Sequence, residues 1–153
     1  MSSEFEGGDN LKFAAFNLND QFTTNQITVR KEDMVDYAKK YDPQYLHLDE
    51  ERAKAGPFGA LIASGFYTMN VVWAEFIRMD VLGKECLGGL SADHIKWVKP
   101  VMANDRLMGV YTVIDKQLLS DHTRGVLTMQ TRITNQHNAE VLSFTFKVLV
   151  DVT

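Results

Sequence analysis

The sequence predicts an α+β fold in which one long, nearly all-apolar helix is wrapped by a curved antiparallel β-sheet. Three observations predict it. Leu61, Ile62, Phe66, Met69, Val72, Trp73, Phe76 and Ile77 spread around much of a helical circumference, which marks a helix enclosed on most sides. The second half of the chain changes period: Leu142, Phe144, Phe146, Val148 and Val150 alternate strictly, as do Leu127, Met129, Thr131 and Ile133. The candidate strands there follow one another through short turns, which implies antiparallel pairing in meander-like order.

Taken in order, residues 1–15 are polar and glycine-containing, and predict a flexible N-terminal segment ahead of a single domain over 16–153. Phe22–Val29, rich in Thr, Ile and Val, reads as a short strand. Between Lys31 and Tyr41 the apolar residues Met34, Tyr37, Ala38 and Tyr41 keep the i, i+3, i+4, i+7 spacing of an amphipathic helix. Glu32 and Asp33 lie in its first turn, where the helix dipole favours acids. Pro43 pushes Asp42 out of the helical region, so the helix stops there and Asp42 sits at a fixed exit. A short polar helix is predicted over Asp49–Ala55, and the AGPFG sequence then breaks the chain. The long helix follows over Ala60–Val81. Strands are expected over Leu90–Val101, Arg106–Gln117, His122–Thr134 and Glu140–Val152, with turns at Asn104-Asp105, Ser120-Asp121 and 135–138. There are no internal repeats and no low-complexity segments.

Composition narrows the function classes. A chain of 153 residues with 45% hydrophobic and 24% charged content is a soluble globular domain of ordinary size. Its net charge of −4 leaves no basic footprint for nucleic acid. Asn70, Glu75, Arg78 and Asp80 interrupt the longest apolar run, which argues against a membrane span. The acidic start MSSEFEGGDN is unlike a secretory signal, and Cys86 is the sole cysteine, so a cytoplasmic protein is expected.

The chemistry concentrates in YDPQYLHLDEERAKAGPFGALIASGF, residues 41–66. Asp42 and His47 lie on a proline-fixed loop, where precisely held groups often sit. Ala63-Ser64-Gly65 then steps into the long helix, and glycine there lets a ligand approach the backbone. Free N–H groups at a helix start suit an oxyanion. A base, an acid and an oxyanion donor around one apolar cleft can add water to an activated double bond or hydrolyse an ester. The bland alternative is that Asp42 and His47 cap the helix exit, that Gly65 is a packing glycine and that Ser64 is an N-cap. Trp97 and the Phe144/Phe146 pair read as core or interface, and Asp93-His94 as a surface or interface position.

Asp42-Pro43-Gln44-Tyr45-Leu46-His47, with Phe58-Gly59-Ala60-Leu61-Ile62-Ala63-Ser64-Gly65, resembles the signature of the MaoC-like dehydratases, relatives of the R-specific enoyl-CoA hydratases. The block Asp93–Val101 followed by Asn104-Asp105-Arg106-Leu107 resembles the family's strand and turn. The resemblance runs from about Val29 to the C-terminus. It implies a hotdog fold, a homodimer or larger homo-oligomer, and reversible hydration of a trans-2-enoyl-CoA to a 3-hydroxyacyl-CoA, placing the protein in fatty acid metabolism. It assigns catalysis to Asp42 and His47 and the thioester carbonyl to the N–H of Gly65, with no metal or redox cofactor. Gln44, Ser64 and Trp73 are implied pocket residues. Better-characterised hydratases carry Asn-Pro in place of Gln44-Tyr45, and some place a small hydroxyl residue where this chain has Trp73, whose indole would shorten or reshape the acyl pocket. Two other readings stay open: a hotdog acyl-CoA thioesterase, and a non-catalytic acyl-thioester binding module.

Overall fold

The computed structural model describes residues 12–153. Most of the N-terminal segment expected to be flexible therefore lies outside the described residues. Its end is corrected: Phe13–Ala15 form a 3-10 turn with Phe13 buried. The Phe13 ring covers Gly125 so closely that an added Cβ there would lie 2.4 Å from it. Lys116 Nζ ties the turn down by donating to the carbonyls of Phe13 and Phe16, each at 2.7 Å.

The strand expected over Phe22–Val29 is two short ones, β1 (Gln21–Thr23) and β2 (Ile27–Thr28). The break falls at Thr24, whose buried hydroxyl accepts a hydrogen bond from the Gly109 N–H and so replaces a ladder partner. Helix α1 (Lys31–Tyr41) matches its sequence pattern, burying Met34 and Ala38 and ending at Asp42. Two short helices follow, α2 (Tyr45–Leu48) and α3 (Glu50–Lys54). Asp49 separates them and accepts the Arg52 N–H as the α3 cap.

Helix α4 (Gly65–Arg78) is shorter than its apolar pattern predicts. Residues 61–64 are as apolar as a helix face, yet they run extended, with Ile62 bridged to Met102 and the Ala63 N–H donating to Val101 O at 2.7 Å. Periodicity alone does not separate a buried extended run from a buried helical turn.

After α4 come β3 (Cys86–Trp97), β4 (Arg106–Leu118), β5 (Arg124–Thr134) and β6 (Glu140–Asp151). The spatial order is β1-β4-β5-β6-β3, all antiparallel, with β2 also on β4. The meander holds for β4–β5–β6. It fails for β3, which pairs with β6 at the far side of the sheet. The linker 98–105, containing Pro100, is too long for a tight hairpin and is engaged with residues 62–63 instead. β3 also starts and ends earlier than its sequence pattern suggests. Register shifts between Asp93 and Lys96, with His94 at φ 53°, mark a bulge that leaves both Asp93 and His94 exposed.

The alternating residues of β5 and β6 bury Leu127, Met129, Ile133, Leu142, Phe144 and Phe146 against α4. Phe76 of the helix stacks on Tyr111 of β4 with ring centres 4.0 Å apart and planes 8° from parallel. The result is the hotdog arrangement, a helix wrapped by a curved antiparallel sheet. No helix among the described residues is long and apolar enough to cross a membrane.

Gly109 marks a close approach of sheet to the middle of the helix: an added Cβ would lie 2.6 Å from Val72 Cγ1. Gly109→Ala should therefore destabilise the fold by about 1–3 kcal/mol through overpacking. Adding Val72→Ala should recover part of the loss, making the pair non-additive in urea denaturation. Strict additivity would show that the two positions do not compete for space.

Candidate active site

Each polar group of the site is placed by a backbone feature. Asp42 is the C-cap of α1, with its N–H donating to Ala38 O at 3.0 Å and its backbone out of the helical region, at φ −154° and ψ 67°, ahead of Pro43. The chain turns back at once, as the Gln44 N–H donates to Asp42 O at 2.8 Å and the His47 N–H to Gln44 O at 3.0 Å. His47 thereby falls on the single turn of α2, only 6% exposed.

The extended run before α4 completes the arrangement. The Ile62 N–H donates to Leu46 O at 3.1 Å, and Ile62 O accepts from His47 Nδ1 at 2.8 Å. A carbonyl oxygen only accepts, so the hydrogen sits on Nδ1 and the other nitrogen, Nε2, faces Asp42 Oδ2 at 3.4 Å. Ser64, fully buried, donates its hydroxyl to the same Oδ2 at 2.7 Å, while Gln44 Nε2 donates to Oδ1 at 2.6 Å. Burial pushes the Asp42 carboxyl up, but the hydrogen bonds from Gln44 and Ser64, with the neighbouring His47, outweigh it and hold the group below its usual value.

All of these residues except Ser64 and Leu46 line a cavity of about 340 Å³. Asp42, Gln44 and His47 form its polar wall. Gly65 and Phe66 contribute the first turn of α4, and Trp97 to Val101 contribute the end of β3 and the linker beyond it. Gly65 is the first residue of α4, so its N–H has no carbonyl one turn back to bond. A carboxylate, an imidazole and a backbone N–H without an intrahelical partner thus meet around one largely apolar hollow, a set of groups able to serve water addition or removal next to a carbonyl.

The structure brings together Asp42, His47, Gln44 and Gly65, and alters two other expectations. Ser64 occupies the N-cap position without capping: its side chain makes no bond to the helix. A hydroxyl donating to an ionised carboxylate makes a charge-assisted bond, stronger than a neutral cap. Ser64 therefore lies behind Asp42 instead of on the cavity wall. Trp73 is absent from this cavity. Its indole packs edge-on against Phe146 at 4.8 Å and lines a second hollow of about 410 Å³ between α4, β3 and β6.

Trp97 and Phe66 are wall residues that sequence reasoning places in the core or at an interface; they are 48% and 51% exposed. The available signal was a glycine at the start of a buried helix, since such a residue makes room for something. What fills that room is visible only in space. Among the described residues no cluster of three or more His, Cys, Asp or Glu side chains is arranged to hold a metal ion.

Comparison with known proteins gives consistent results. The sequence model of the MaoC like domain matches residues 14–136. The uncharacterized protein YdeM of Bacillus subtilis is 32% identical over 140 residues, spanning 92% of this chain and 99% of that protein. The 3-hydroxyacyl-thioester dehydratase Z of Mycobacterium tuberculosis is 28% identical over 99 residues, 63% of this chain and 66% of the relative. The solved structure of a MaoC-like dehydratase from Rhodospirillum rubrum superposes with a TM-score of 0.86 at 26% identity, covering 93% of this chain and 97% of that one. With the family model spanning most of its length and a relative of matching extent, this chain belongs to the MaoC-like domain family.

Proposed function

We propose that the protein is a cytoplasmic hydro-lyase that reversibly adds water to a trans-2-enoyl-CoA, giving a 3-hydroxyacyl-CoA, with Asp42 and His47 as the catalytic pair. One observation carries the reading: Asp42 Oδ2 and His47 Nε2 stand 3.4 Å apart on the wall of a cavity that also holds the start of α4. The Nδ1–H of His47 is committed to Ile62, so Nε2 is the nitrogen free to exchange a proton with something in the cavity. A water donating to the pair sits where it can attack. Its oxygen bonds to Cβ as its proton passes to the pair, the alkene electrons move onto the thioester oxygen as an enolate, and a proton then returns to Cα. The Gly65 N–H stabilises that oxygen as its charge grows. Dehydration is the same path reversed. A mycobacterial relative named as a 3-hydroxyacyl-thioester dehydratase supports the same chemistry.

Asp42→Asn and His47→Ala should each lower hydration by the order of 10²–10⁴-fold while leaving the fold intact. The double variant should be little worse than either single one, because groups serving one proton transfer fail as a unit. Loss of alkene absorbance from crotonyl-CoA and a longer enoyl-CoA is the measurement. Near-wild-type rates in either variant would overturn the assignment. Release of free thiol by the wild type would favour a thioesterase, and binding without turnover would favour an acyl-thioester binding module.

Ser64 sharpens the electrostatic part of the reading. Its hydroxyl helps hold Asp42 below the usual carboxylate range, so Ser64→Ala should move that carboxyl back upward. A ¹³C NMR titration of the Asp42 carboxyl in both proteins checks the direction. An unchanged or lower value in the variant would show that Ser64 does not tune it.

The protein is also proposed to work as a homodimer or larger assembly. Among the described residues β3 is an edge strand paired only to β6, and it exposes Leu87 and Leu90. A second copy of the chain added along this edge would satisfy its backbone and cover those side chains. Light scattering at micromolar protein should give at least twice the chain mass. Leu90→Lys should shift the population toward single chains, and a strictly monomeric wild type would refute the assembly.

A further inference from the structure

Gly65 is glycine for want of room. A Cβ built on it would lie 2.1 Å from Trp97 Nε1 and 2.5 Å from both Cδ1 and Cε2. These distances put that Cβ above Nε1 on the face of the pyrrole ring, so the ring lies flat against the first residue of α4 with its N–H running alongside. Phe66, the next residue, meets the same indole edge-on, with ring centres 5.2 Å apart and planes at 71°, and steadies its orientation. Trp97 Nε1 donates to no acceptor among the described residues. The Gly65 N–H beside it is unpaired by its position in the helix. Both residues line the cavity that holds Asp42 and the buried His47. Two N–H donors from separate elements thus lie side by side without an acceptor among the described residues, on the wall of the cavity where the catalytic pair faces in.

We propose that Trp97 Nε1–H and the Gly65 N–H together bind the carbonyl oxygen of the substrate thioester, Trp97 acting as the second donor of the oxyanion site. The proposal rests on the acyl-thioester reading above. As water adds at Cβ, negative charge collects on that oxygen, and a rigid second donor stabilises the enolate more than the neutral ground state. Removal of one such donor typically costs about 10²–10³-fold in kcat. The indole is well suited to the role: its N–H is a donor only, and its ring is held by Phe66.

Trp97→Phe keeps an aromatic ring and removes the N–H. Trp97→His keeps an N–H, because imidazole Nε2 superposes on indole Nε1 when the rings share Cβ and Cγ. At 48% exposure neither change should disturb folding, which circular dichroism checks. The first readout needs no turnover. A conjugated probe, 2,4-hexadienoyl-CoA, absorbs at longer wavelength when its carbonyl is polarised. The wild type should red-shift the bound probe, Trp97→Phe should bind it with a smaller shift, and Trp97→His should restore the shift. The second readout is hydration of crotonyl-CoA, where Trp97→Phe should lose about 10²-fold in kcat with little change in KM.

The proposal is overturned if folded Trp97→Phe gives the wild-type shift and kcat, if folded Trp97→His shifts no more than Trp97→Phe, or if the wild type produces no shift. The two readings separate cleanly. A wild type that polarises the probe but hydrates no enoyl-CoA keeps the two-donor site and removes the hydratase. A wild type whose hydration is lost in Asp42→Asn and untouched in Trp97→Phe keeps the hydratase and removes Trp97.

Discussion

The extended run Leu61–Ser64 is the constraint on which the rest of the site depends. Four apolar or small residues ahead of a buried helix could have continued that helix by one more turn. They are held straight by bonds on both sides: Ile62 N–H to Leu46 O, Ala63 N–H to Val101 O, and the bridge from Ile62 to Met102. Because the run is straight, Ile62 O is free to accept the His47 ring, Ser64 meets Asp42, and α4 begins at Gly65. Had residues 61–64 coiled, Ile62 O would have been drawn toward an intrahelical N–H, and His47 would have lost the partner that sets its tautomer.

The sheet supplies the counterforce. β4, β5 and β6 curve around α4 and fix it through a close steric contact at Gly109–Val72 and a stacked pair at Phe76–Tyr111. Trp73 extends that aromatic cluster through Tyr111 and Phe146. The helix is therefore locked against rotation near its middle, and its N-terminal turn is presented to the cavity in a fixed orientation. A backbone donor serves catalysis well only when such packing removes its freedom to reorient.

The polar wall is arranged as a closed set with one opening. Asp42 receives Gln44 on one oxygen and Ser64 on the other, and His47 gives its Nδ1 hydrogen to Ile62. Three nitrogens on the cavity wall stay available to whatever enters it: His47 Nε2 toward Asp42, the Gly65 N–H, and the Trp97 N–H.

By itself the sequence determined the elements whose causes are local. Pro43 ended α1 at Asp42, the 3.6-residue spacing of Met34, Tyr37, Ala38 and Tyr41 made that helix, and the alternation in β5 and β6 chose their buried faces. Asp42, Gln44, His47 and Gly65 of the motif line one cavity, while Ser64 of the same motif does not. What only the tertiary structure decided were the matters settled by distant partners. β3 pairs with β6 across the sheet because its linker is bound to residues 62–63. Residues 61–64 are extended because Leu46 and Val101 offer hydrogen bonds there. Ser64 turns to Asp42, 22 positions away, instead of capping its own helix. Trp73 belongs to a separate hollow, and Trp97 stands over Gly65 although the two are far apart in sequence. No local pattern encodes these choices, since each compares a nearby partner with a remote one, and only the folded chain brings both within reach.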